Sequence, residues 1–129
     1  MRRGEIPDEV LRFIERRIDS VPHLEALLLL WENPAQSWAA ADIAARVYIG
    51  TEQAGKVLAD LARNGLIMAA PAAAERHVYN SAWDESQLME KVAAAYRRHI
   101  VHVSGLIHAK AASQAVREFA RAFQFKPEE

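Results

Sequence analysis

The chain has no cysteine, which excludes a disulfide framework, a thiolate zinc site and a cysteine nucleophile and makes a reducing compartment the simplest setting. Glycine and proline are sparse, five of each among 129 residues, so collagen-like and low-complexity architectures are out. No apolar run approaches the roughly 18 residues that a membrane span needs, and none of signal-peptide length follows Met1. A cytoplasmic protein is therefore expected. Motifs for chemistry are missing as well: there is no glycine-rich phosphate loop, no Gly-x-Ser-x-Gly elbow and no metal-protease signature. Asp84 and Glu85 read as the first turn of a helix rather than an acid/base couple. The chain is thus not read as an enzyme, and no catalytic residue, metal or cofactor is expected. Charge of one sign does not prevail either, with 16 basic and 17 acidic residues.

What is present is apolar and helical. Hydrophobic residues make up 51% of the chain and charged ones 26%, the composition of an ordinary globular protein. A length of 129 residues suits a single domain with one core. Pro7 fits a first helical position, and Asp8 and Glu9 complement the helix dipole. A helix is expected over 7–19, with Val10, Phe13, Ile14 and Ile18 as its apolar stripe. A second, from Ser20–Pro22 to Trp31, is apolar on most sides and reads as the central core helix, stopped by Asn33 and Pro34. Residues 36–39 read as a short strand with Trp38 turned inward. A brief helix over 41–47 is broken by Gly50. Thr51 is the expected N-cap of a helix over 52–63, which turns Ala54, Val57, Leu58 and Leu61 inward and ends at Asn64-Gly65. Residues 66–69 and 77–80 read as two strands joined by the 71–76 loop. One long helix is expected over 84–108, and a last one over 113–123 with Val116, Phe119 and Phe123 on one face.

Trp38, the segment Asp42-Ile43-Ala44-Ala45-Arg46-Val47, the turn Tyr48-Ile49-Gly50-Thr51, and then Ala54, Val57-Leu58, Leu61 and Asn64-Gly65-Leu66-Ile67 resemble the winged helix-turn-helix family of bacterial transcriptional regulators. The resemblance covers just under half of the chain. It implies a mainly α fold with a small β-hairpin wing, within a single domain over 1–129. That domain divides into an N-terminal helix (1–21), a winged helix-turn-helix core (22–80) and a C-terminal helical arm (81–129). It also implies that the helix over 52–63 enters the major groove of DNA.

A helical wheel places Glu52, Lys56, Ala59 and Arg63 on the outer side of that helix. The expected DNA-binding residues are Arg46, Thr51, Glu52, Gln53, Lys56, Arg63 and Arg76. Lys56 and Arg63 suit phosphates or guanine edges, Glu52 suits cytosine, and Arg76 suits a phosphate beside the wing. Against this stands the charge of residues 22–80, with four basic and six acidic groups. Two sites on one duplex would offset so weak an electrostatic drive.

A homodimer through the C-terminal helices is therefore expected. Its seam is Met89, Val92, Tyr96, His99, Val103 and Leu106, which recur at steps of three and four residues. The alternative is that the stripe packs on the chain's own N-terminal helix. Phe119, Phe123 and Phe125 are candidates for the same interface. His99 on the stripe suggests a pH-sensitive contact, while His99, His102 and His108 lack the further ligands that a metal site requires. An effector pocket between the hairpin and the long helix would draw on Trp38, Trp83 and Tyr96. The leading reading is a sequence-specific, DNA-binding homodimeric regulator. The alternative is a winged-helix protein–protein interaction module, an adaptor or anti-regulator, that does not bind DNA.

Overall fold

The computed structural model describes residues 6–84 and 87–124. Helix α1 spans Asp8–Arg17, with acidic Asp8 and Glu9 in its first turn and basic Arg16 and Arg17 in its last, so both ends complement the dipole. Val10, Phe13 and Ile14 face inward. Helix α2 spans Val21–Glu32; Ser20 caps it by accepting from the His23 backbone N–H at 3.3 Å, and Pro22 lies in the first turn, where no donor is needed. At its far end the Asn33 amide returns to the Leu29 carbonyl at 2.9 Å. Leu24, Ala26, Leu27 and Leu30 are fully buried, which makes α2 the central element that the sequence indicates.

Past α2 the chain reaches Trp38, which is 1% exposed. Its backbone exchanges two hydrogen bonds of 2.8 Å with His77, an isolated antiparallel bridge. The expected strand over 36–39 is therefore reduced to one bridging residue. Helix α3 spans Ala40–Val47 and α4 spans Thr51–Arg63. Gly65, at φ +78, takes the left-handed turn that glycine allows without strain and delivers the chain into strands β1 (Ile67–Ala70) and β2 (Ala73–Tyr79). These pair antiparallel, Ile67 opposite Tyr79, with an irregularity between Ala69 and Ala70. The second strand is longer than the sequence reading because alanines 73 and 74 extend it to the turn. A short 3-10 turn over Ser81–Trp83 leads on to α5, Leu88–Arg98, and α6, Ile100–Gln124.

The fold is thus mainly helical with one small two-stranded antiparallel sheet. Among the described residues no helix is long and apolar enough to cross a membrane.

The C-terminal helices depart from expectation. The continuous helix over 84–108 is broken at His99, whose backbone leaves helical geometry at φ -129 and ψ 47. The bend keeps its hydrogen bonds, since the His99 N–H donates to Ala95 and the Val103 N–H to His99, both at 2.8 Å. No break follows at 108–113, where an alanine-rich stretch of high helix propensity carries α6 onward. The side chain of Phe123, residue Phe125 and the acid pair partner Glu85 lie outside the described residues.

The bend seats Val103 and Ile107, both 0% exposed, in the same core as Met89, Val92 and Tyr96. The expected dimer seam is corrected accordingly. Met89, Val92, Tyr96 and Val103 are consumed by the chain's own core, leaving His99 half-buried and Leu106 partly exposed. Lys110 of α6 secures the docking by donating to the Ile14 and Ile18 carbonyls at 3.1 and 2.6 Å. A cation there caps the end of α1 and opposes the negative pole of its dipole. Burial lowers the Lys110 pKa, and the charges of Asp19 and Glu15 partly restore it.

His77 ties this fold to pH. Burial lowers its pKa from the ordinary 6.5, and its Nδ1 has no hydrogen-bond partner among the described residues. The unfolded chain therefore binds a proton more readily than the folded one. The resulting stability is complete above the ordinary imidazole value and is lost as pH falls through the depressed one. Thermal melts at about pH 7 and about pH 5 should show a destabilisation on acidification that is smaller in His77→Gln. Equal acid sensitivity in the two proteins would remove His77 from this role.

Candidate nucleic-acid interface

Helices α3 and α4 meet across a tight bend. Ile43 and Val47 of α3 and Ala54, Val57, Leu58 and Leu61 of α4 are buried, the small Ala54 allowing close approach. Tyr48 ends α3 in the left-handed region at φ 65, donating its N–H to the Ala44 carbonyl at 2.9 Å. The helix does not continue through Gly50, which is itself the N-cap of α4, and Thr51 is the first helical residue with no side-chain cap bond. This corrects the expected role of Thr51. A glycine in extended conformation fulfils the cap position and frees the threonine hydroxyl.

With the inner face fixed, the outer face follows from the 3.6-residue period. Thr51, Glu52, Gln53, Lys56, Ala59 and Arg63 are all exposed. Lys56 makes no hydrogen bond or ion pair with the described residues. The other cations are engaged. Arg63, 71% exposed, pairs with Asp60 one turn back. Arg46 lies 5.5 Å over the Trp38 ring, a cation–π contact that also shields the bridge residue.

Arg76, expected to suit a phosphate beside the hairpin, is engaged within the chain. Its guanidinium donates to the Ser37 hydroxyl at 2.8 Å, the Ser37 carbonyl at 2.9 Å and the Asp42 carboxylate at 3.1 Å. Asp42 in turn accepts from the Ala39 N–H at the start of α3 at 2.9 Å. Arg76 thus locks β2 to the N-terminus of α3. The 34- and 39-residue separations of these pairs leave no local pattern that a sequence reading would detect.

A second lock holds α4 from behind. The His23 ring bridges Ser20 Oγ at 2.5 Å and Asp60 Oδ2 at 2.8 Å. Burial pushes the Asp60 carboxyl up, but the hydrogen bonds and charges of His23 and Arg63 outweigh it and hold it below its ordinary 3.8. Asp19 completes a group whose donor atoms lie within 4.8 Å of one another. A divalent ion would have to displace bonds already made, because both ring nitrogens of His23 are engaged and Asp60 is shared with Arg63. The trio is better described as a clamp between α2 and α4. His99, His102 and His108 belong to no such group among the described residues.

Two features of this region escape the sequence reading. Tyr48 is 91% exposed in the bend between the helices; an aromatic residue that fits neither helix's inner stripe is the signal that would have found it. Arg17 reaches from α1 to the Asn64 carbonyl at the end of α4, 2.6 Å away. The three aromatics expected around an effector pocket do not converge. Trp38 is enclosed, and Tyr96 is buried with its hydroxyl donating to Glu25 at 2.9 Å. Trp83 lines a cleft at the surface. No protein-family model matches the chain, and no curated protein or solved structure shows significant similarity to it.

Proposed function

We propose that residues 22–80 form a winged helix-turn-helix that places α4 in the major groove of DNA, and that the chain is a cytoplasmic, sequence-specific transcriptional regulator acting as a homodimer. The observation that carries this reading is the two-sidedness of α4. Ala54, Val57, Leu58 and Leu61 anchor it, while Thr51, Gln53, Lys56 and Arg63 share its open side. Small Gly55 and Ala59 permit close approach to a duplex, Thr51 and Gln53 sit at the positive end of the helix for phosphate contact, and Lys56 is available to a phosphate or a guanine edge. The Arg63–Asp60 pair is exposed at the arginine and weak enough for the guanidinium to exchange to a phosphate. Arg76 contributes by fixing β2 against α3. A second copy would add the cations that one chain lacks. A surface for it is the exposed side of α6, where Val101 and Val116 are 83% and 65% exposed.

One observation favours a protein–protein interaction module instead. Of the four basic residues in 40–80, three already serve partners within the chain. Selection from a random duplex pool at low salt separates the two readings. Enrichment of a common, twofold-symmetric sequence, lost with Lys56→Ala, is the expected result. An unenriched pool with no shifted band would transfer the function to a protein partner.

A further inference from the structure

Helix α1 carries three arginines along one cleft. Arg12, Arg16 and Arg17 line a recess of about 240 Å³ together with Phe13, Trp83 and two acids, Glu9 and Asp84. Both acids are committed elsewhere. Glu9 accepts from Lys91 at 2.6 Å. Asp84 accepts from the Leu88 and Met89 N–H groups at 2.5 and 3.1 Å and from the Tyr79 hydroxyl at 3.1 Å. Arg12 and Arg16 make no hydrogen bond or ion pair with the described residues. The floor is rigid, since Trp83 stacks on Phe13 with ring centroids 5.4 Å apart and interplanar angle 4°. Arg17 covers the Trp83 ring at 5.8 Å, its guanidinium oriented by the Asn64 carbonyl.

We propose that this cleft binds a small polyvalent oxyanion, of the phosphate or carboxylate type, between Arg12, Arg16 and Arg17. Guanidinium groups are planar forks that match such oxygens two at a time, and a positioned arginine beside two unengaged ones is the arrangement that recognises more than one negative charge. Neither acid bonds to the guanidiniums, and the aromatic floor bars one side to water. The volume equals about eight water molecules, enough to seat an anion of pyrophosphate or tricarboxylate size. The site stands independently of the DNA reading.

Calorimetric titration of the full chain with sodium pyrophosphate, and separately with sodium citrate, at about 0.15 M salt tests it. One-site binding of either anion is expected, weakened about tenfold or more in the double variant Arg12→Gln/Arg16→Gln, since two charge-assisted contacts are removed. Pyrophosphate alone, citrate alone or both identify the phosphate, the carboxylate or the shared chemistry. Arg117→Gln/Arg121→Gln, which removes two cations of α6 that do not line the cleft, should bind as the parent does. Circular dichroism establishes that both double variants keep the parent helix content. No heat with either anion, or an equal loss in the two double variants, overturns the proposal.

Discussion

Replacing Trp38 by alanine is expected to destabilise the protein by about 3–5 kcal/mol, the range for emptying a large aromatic site in a packed core. Trp38 is 1% exposed and forms the backbone bridge that joins the segment between α2 and α3 to β2. Its indole N–H has no partner among the described residues, so the loss is of packing and not of a side-chain hydrogen bond. The Arg46 contact over the ring goes with it. Trp38→Phe keeps an aromatic ring beneath the backbone bridge and should cost less, about 1–2 kcal/mol. For a domain of this size the alanine variant should melt about 10–20 °C below the parent, read by circular dichroism. A drop of only a degree or two would mean that the bridge does not depend on its side chain.

Val103→Asp is expected to have an effect of similar or larger size, about 4 kcal/mol or more, because an unpaired carboxylate would enter a site that is otherwise 0% exposed. The same substitution distinguishes the two roles that periodicity leaves open for this stripe. In a core position it lowers the urea midpoint by an amount independent of protein concentration. In a dimer seam it would leave a stably folded monomer, with unchanged unfolding and halved mass in sedimentation. The burial of Met89, Val92 and Tyr96 beside it predicts the first result.

These two positions mark what a sequence can and cannot disclose. Local patterns were legible. The start of α1 to within one residue of Pro7, the start of α2 at Ser20–Pro22, the interruption at Gly50, the inward Trp38 and the outward Lys56 all follow from capping, turn chemistry and the 3.6-residue period. Long-range geometry was not. A heptad-like stripe states that one side is apolar without saying whose apolar surface meets it, so Met89 to Val103 read first as an interface and only alternatively as core. The bend at His99 leaves no proline or glycine at the break, and the residues it seats in the core, Val103 and Ile107, lie beyond it. Arg76 illustrates the same limit, being a plausible outward cation by its place next to a loop and an internal lock by its bonds to Ser37 and Asp42. Within α4 the inner and outer faces were legible, whereas the clamp of His23 on Asp60, 37 residues apart, was not.

The pairing of cations within the chain changes the expected energetics of the proposed interface. Arg63 must leave Asp60 to reach a phosphate, so its net contribution is small, and Lys56 becomes the principal electrostatic contact of each copy. The most direct measurement is therefore the affinity of the full chain for a selected duplex, read by fluorescence anisotropy across a series of salt concentrations, for the parent and for Lys56→Ala. Two copies contributing about two phosphate contacts each should give a log–log slope near -4, and Lys56→Ala should flatten it by about 2 units while weakening binding. A slope near zero, or one that Lys56→Ala leaves unchanged, would contradict the placement of α4 against DNA.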